Sequence, residues 1–350
     1  MTNDLATWAD RHLGEMPGLG NDRPRGGAEI KAELDPGLAV VRYLYDNSRI
    51  DGEWSVADDR GFTWWADSLA QRVWSKPAFD DEGIDIYRLF VETDLVRGVA
   101  DPVLGTRSVD SLNGLSTGSA LVFEPEAGSV RAVASMWVHE QSLEWVARSF
   151  SVLGAIQVAQ AQQQATMLAP MVGGELALSA HPGSGVRPEP DEMLGLLEIV
   201  RMDGRSQPRW AGEQMEFALE RLRRVPIVTL ATGDATGITL EVPYRQTTAL
   251  IQLDVSWAHP DLGTGLIARL SLPGDAGPGA EWAAMRNRQE LVSLTRANFV
   301  GGWIGGAPFA TFLSFYPNML ARTGVGAANI ALSMINRARW IAEEGRSSEA

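Results

Sequence analysis

The apolar positions of this chain fall into two rhythms, one helical and one alternating. From Phe62 to Trp74 they recur at 62, 65, 69 and 73 and again at 66, 70 and 74. That spacing predicts a helix with a broad apolar face. Ile84–Val96 is β-rich and partly alternating, which predicts a strand. A loop carrying Pro102, Gly105, Asn113 and Gly114 follows. Ala120–Phe123 and Val130–Val138 then read as a strand pair around the turn Glu124–Gly128. Leu143, Val146, Phe150 and Leu153 form one stripe of a helix expected from Glu140 to about Gln164.

The order then recurs. Residues 173–208 have loop composition, crossed by a short helix near Met193–Val200. Glu213–Arg223 predicts a helix, and Ile227–Leu230 with Ile238–Val242 predicts strands around the turn Gly233–Gly237. Ala249–Trp257 and Gly265–Leu272 predict a strand pair, Glu281 to about Asn298 a helix. Phe299–Phe315 is an apolar stretch broken by Gly301, Gly302, Gly305 and Gly306, and a last helix is expected over Ala327–Glu343. Aligned on these elements, Ala120–Val138 matches Ala249–Leu272, and the helix after 140 matches the one after 281. A repeat of this length exceeds a solenoid unit of roughly 20–50 residues and predicts a duplicated domain. The expected fold class is α+β, two similar domains, each an antiparallel sheet with helices on one face. Their bounds are 38–175 and 209–345, with an N-terminal arm or tail over 1–37, a linker over 176–208 and a tail over 346–350. A short amphipathic helix, Leu5–Leu13, is expected in the arm.

Composition sharpens this only in places. Apolar residues make up 45% of the 350 and charged residues 21%, enough for real cores and too few charges for a disordered chain. A net charge of −14 argues against nucleic acid and against anionic membrane surfaces. The absence of cysteine excludes disulfides, thiolate nucleophiles and iron–sulfur clusters. No apolar stretch approaches the ~18 residues of a membrane span, and no basic segment leads into an apolar one near Met1, so the expected location is cytoplasmic.

The strand, second strand and long helix over Ala120–Val158, echoed over Ala249–Asn298, resemble the type III secretion chaperone-like (YbjN-like) superfamily in tandem copies. The resemblance implies a meandering antiparallel sheet with a leading and a trailing helix, and non-enzymatic binding of other proteins.

Candidate chemistry is sparse. Gly114-Leu-Ser116-Thr-Gly118 matches the G-x-S-x-G elbow, but no apolar strand precedes Ser116 and no helix follows it, so a loop is expected. His12, His139, His181 and His259 are the only histidines, and none has a second histidine at zincin spacing. Asp58-Asp59, Asp80-Asp81-Glu82 and Glu189–Glu192 read as solvated loop charge. Ala231–Gly237 lacks a Walker lysine and reads as a hairpin turn; the glycines at 301–306 read as packing positions. No catalytic residue, metal or cofactor is expected. Twelve tryptophans are many for this length, and Trp64, Trp65, Trp74, Trp137 and Trp145 are the candidate protein-binding residues. The expected function is a chaperone- or adaptor-like protein-binding module whose partner is another protein or a second copy of the chain. An enzyme or small-molecule sensor with a pocket at the junction of the halves, and a structural oligomer component, remain as alternatives.

Overall fold

The computed structural model describes residues 30, 34–81, 83–273, 279–293, 297–306 and 308–347. The expected Leu5–Leu13 helix, His12, Glu82 and the last three residues lie outside them. In chain order the elements are α1 (Pro36–Asn47), β1 (Ser55–Ala57), β2 (Gly61–Trp65), β3 (Ala70–Asp81), β4 (Ile84–Arg97), α2 (Pro102–Asn113), β5 (Ala120–Glu124), β6 (Ser129–Val138), α3 (Leu143–Val172) and β7 (Glu175–Leu176). There follow α4 (Leu196–Asp203), α5 (Glu213–Leu222), β8 (Leu230–Gly233), β9 (Gly237–Tyr244), β10 (Thr247–Asp254), β11 (Gly265–Pro273), α6 (Ala280–Val292), β12 (Gly302–Ile304), β13 (Phe309–Pro317) and α7 (Ala327–Ser347).

The fold is α+β with two antiparallel sheets. The first runs β1-β2-β3-β4-β6-β5, with β7 on β4; the second, read from its other edge, runs β8-β9-β10-β11-β13-β12. These are the same topology: a leading helix, a four-strand meander, a helix, an edge strand, a strand that inserts beside the fourth, and a trailing helix. One side-chain device recurs with it. Asn113 of α2 donates to the Leu121 carbonyl (3.0 Å) and accepts from its N–H (2.7 Å) on β5. Asn287 of α6 does the same to Trp303 on β12, at 3.1 and 2.7 Å. Leu121 and Trp303 are each the second residue of their strand.

The chain divides into two compact units that are discontinuous in sequence. Of the described residues, the first holds those up to Pro102, Glu124–Met202 and Arg322–Gly324; the second holds Val103–Phe123, those within Asp203–Ala321 and those from Val325.

Two expectations are overturned. Phe62–Trp74 is no helix but β2, a turn and β3. Phe62 and Trp64 pair with Val73 and Gln71 on the helix-covered face, and Trp65 lies on the other, so aromatics occupy both faces and erase the alternation that marks a strand. The expected loop after Arg97 is largely α2. Pro102 opens it, where a missing N–H costs nothing. Gly105 inside it lies under the Phe123 ring, 2.9 Å from where a Cβ would stand.

The repeat also registers differently. The hairpin at 249–272 corresponds to β3–β4, not to 120–138, and the helix at 280–292 corresponds to α2. The counterpart of α3 is α7. The expected pairing of the helices after 140 and 281 therefore fails, although the duplication itself is present.

In the first unit α1 begins on Asp35, whose carboxylate accepts from Leu38 N–H at 2.9 Å. Gly154 of α3 lets Leu44 of α1 approach to 3.0 Å of its would-be Cβ, bringing the two helices together. Gln71, Thr93 and Gln157 form a buried polar link from sheet to α3. In the second unit the core contains a full ion pair. Arg337 of α7 donates to Glu290 of α6 through Nε (2.6 Å) and Nη2 (3.2 Å), and both side chains have zero exposure. Trp303 Nε1–H donates to the same carboxylate (2.9 Å), Arg337 also donates to the Asn298 carbonyl (2.7 Å), and its guanidinium lies 3.6 Å from the Phe312 ring centroid.

Candidate aromatic and cationic sheet face

On β3, β4 and β6 the register sorts side chains onto two faces. Gln71, Thr93 and their neighbours in register meet α3. The opposite face carries three rows. Lys76, Arg88 and Trp137 make one, Trp74, Phe90 and Ser135 the next, and Arg72, Glu92 and Val133 the third. Trp74 stacks on Phe90 with centroids 4.9 Å apart and planes 8° from parallel. Arg72 lies over Trp74 at 4.7 Å, Lys76 over Phe90 at 5.0 Å, and Arg88 over both Phe90 (4.9 Å) and Trp137 (5.1 Å). Phe79 extends the cluster to Trp137 at 5.6 Å. Arg88 is buried and donates to Ser135 Oγ from Nε and Nη2, at 3.1 and 2.9 Å. Lys76 is exposed. Partial desolvation against the rings, and then the Arg88 charge, hold its ammonium below the ordinary lysine value. Arg131 ties the edge of the face to Glu92 and Glu124, at 2.8 and 2.7 Å.

The second sheet supplies an internal control. Its corresponding rows are Asp254, Ile267 and Phe315; Gln252, Arg269 and Leu313; and Leu250, Ser271 and Thr311. Those three rows hold one cation, Arg269, and one aromatic ring, Phe315, against which Trp257 and His259 pack at 5.9 and 4.9 Å. The same topology thus stands without the cluster of Trp74, Phe79, Phe90 and Trp137 and its three cations. The topology by itself does not call for the cluster.

The five tryptophans singled out from the sequence do not act as one group. Trp74 and Trp137 share this face. Trp64 is core, 1% exposed. Trp65 is buried beneath the segment after β7, where its Nε1–H donates to Ser179 Oγ (3.1 Å) and His181 meets its ring edge-to-face at 5.0 Å. Trp145 lies in the first turn of α3 beside Gly324. The sequence reading missed Phe90, Arg88 and Lys76, whose partial alternation within Ile84–Val96 and Pro77-flanked strand showed no functional pattern.

The other candidates stand apart. Ser116 is buried in the turn between α2 and β5. His139 follows β6, His181 belongs to the first unit and His259 to the second. Asp58 pairs with Arg72 at 3.6 Å, and Asp191 pairs with Arg187 at 2.9 Å while capping a short helix. Asp80 and Asp81 end β3. Ala231–Gly233 belong to β8 and Gly237 opens β9, so the hairpin turn is 234–236, with Asp234 accepting from Thr236 and Gly237. Gly301, at φ +122°, and Gly305 are close backbone approaches, where a Cβ would stand 2.2 and 2.3 Å from the Leu313 and Gly279 backbones. Among the described residues no group of three His, Asp or Glu side chains is placed to hold a metal ion, and no helix is long and apolar enough to cross a membrane. No protein-family model matches the chain, and neither a curated protein nor a solved structure matches it.

Proposed function

We propose that the chain is a protein-binding module, chaperone- or adaptor-like, and that the aromatic and cationic face of the first sheet takes an extended polypeptide segment bearing acidic and aromatic side chains. The observation that supports this is the contrast between the two sheets: one topology, built once with the cluster and once without it. Trp74 and Trp137, both half-buried, present ring surface to aromatic side chains, and the exposed Arg72 and Lys76 present charge to carboxylates. Tryptophan and arginine are the residues that most often carry binding energy at protein interfaces. The resemblance to the secretion-chaperone superfamily points to the same class of activity.

The test is fluorescence anisotropy with labelled extended peptides of three kinds: acidic–aromatic, basic–aromatic and neutral polar. The acidic–aromatic peptide should bind, and Arg72→Glu with Lys76→Glu should weaken it at least tenfold, more at low salt than at high. Trp74→Ala should weaken it by a similar factor. Equal affinity of the charge-reversed variant, with circular dichroism unchanged, would refute the site; absence of binding by any of the three peptides would refute the function.

A further inference from the structure

The segment His259-Pro-Asp-Leu-Gly263 closes a turn on its own backbone. His259 N–H donates to the Gly263 carbonyl (2.8 Å), and Gly263 N–H donates back (2.8 Å). The imidazole completes it: Nδ1 accepts from Asp261 N–H and Leu262 N–H, both at 3.1 Å. Two donors at Nδ1 require it to be unprotonated. The ring proton therefore sits on Nε2, which donates to the Leu115 carbonyl at 3.0 Å.

The same five-residue turn occurs at His181-Pro-Gly-Ser-Gly185. The backbone bridge is the same, and Nδ1 again accepts, from Gly183 (3.2 Å) and Ser184 (2.9 Å). That turn is largely exposed. The His259 turn instead carries a neighbouring strip of chain. Thr264 N–H donates to the Gly204 carbonyl (2.7 Å), and Thr264 Oγ1 reaches the carbonyls of Gly204 (3.1 Å) and Ser206 (2.9 Å). Gly204 lies so close that an added Cβ would stand 1.7 Å from the Leu262 carbonyl oxygen.

We propose that His259 is a proton-operated latch, whose protonation at Nδ1 opens the turn 259–263 and releases the strip 204–206 from it. An imidazolium has a donor at both nitrogens. Its Nδ1–H would face two N–H groups, so the ring must turn or the turn must open. The groups against the ring are the Leu115 carbonyl, the Trp257 and Phe315 rings (5.9 and 4.9 Å) and, on its own turn, the Asp261 carboxylate. Burial favours the neutral ring; the Leu115 carbonyl and the Asp261 charge work against it, and burial prevails. The latch is independent of the binding face, which lies in the first unit.

Hydrogen exchange at pH 7.5 and pH 5.0, corrected for intrinsic rates, tests this on the full chain. In the wild type, protection over 255–265 and 203–209 should fall at least tenfold at the lower pH. His259→Asn keeps an acceptor for the same two N–H groups, as an Asx turn, and does not titrate. It should keep protection at both pH values. Wild-type protection that ignores pH, or an asparagine variant that loses it equally on acidification, would overturn the latch. Should that variant fail to fold, imidazole NMR of the wild type decides: the ring must titrate together with the opening of the Asp261 and Leu262 amides, and a ring that titrates while both amides stay protected overturns it.

Discussion

Arg337→Met isolates the electrostatics of the second core. The substitution removes the two guanidinium donors to Glu290, at 2.6 and 3.2 Å, and leaves a carboxylate with no solvent exposure that keeps the Trp303 N–H but loses the Arg337 charge. Removing one partner of a buried pair costs about 3–5 kcal/mol, because the surviving charge stays desolvated. At about 2–4 °C per kcal/mol for a unit of 150–250 residues, the second unit should melt about 6–20 °C lower. Glu290→Leu together with Arg337→Met removes both charges and should lie within about 2 kcal/mol of the wild type, since apolar replacements of whole buried pairs are often neutral or stabilising. The assay is urea denaturation followed by tryptophan fluorescence and circular dichroism, fitted with separate transitions for the two units. A single-variant cost under about 1 kcal/mol, or a double variant as unstable as the single, would refute the reasoning.

Asn113→Ala and Asn287→Ala should each cost about 2–3 kcal/mol, two hydrogen bonds plus the strand groups left unpaired; markedly unequal losses on thermal melting would show that the two amides are not equivalent. Gly204→Ala should destabilise the second unit by several kcal/mol, because the obstacle at 1.7 Å is backbone and cannot swing aside; a wild-type melting curve would contradict the close approach. Because His259 is held below the ordinary histidine value of about 6.5, the unfolded chain takes the proton first, and stability should fall as pH drops through about 6.5 and level off below the folded value. His259→Asn should flatten that slope in a pH series of melts.

Much of the second half was legible in the sequence because its strands bury one face. In β9, Ile238, Leu240 and Val242 alternate with Thr239, Glu241 and Pro243, and the strand declares itself. The first half conceals its strands by covering both faces. Trp64 and Trp65 adjoin in β2, and Trp74 follows Val73 in β3, so the apolar positions fit a period of 3.6 as well as 2. The repeat slipped for a related reason. Each copy contains two strand pairs followed by a helix, and the more conspicuous pair of one copy was matched to the less conspicuous pair of the other. The aromatic and cationic face was half visible. Trp74 and Trp137 attract notice as tryptophans, but only strand register sets Arg88, Phe90 and Lys76 beside them. His259 carried no sequence signal beyond the recurrence of a His-Pro-x-x-Gly pentapeptide, whose meaning lies in the backbone donors it gathers.

The asparagine amides on β5 and β12 have a consequence for aggregation. A carboxamide has the donor and acceptor of a peptide group, so Asn113 and Asn287 each present to an edge strand what one residue of a further strand would present. An exposed sheet edge is a template for uncontrolled growth. At Leu121 and Trp303 that template is already occupied by a single side chain, which has no second edge to pass on. At β5 and β12 each sheet therefore ends in a terminator, and losing either asparagine would leave a buried strand amide and carbonyl unpaired at the same time as it loosened the fold.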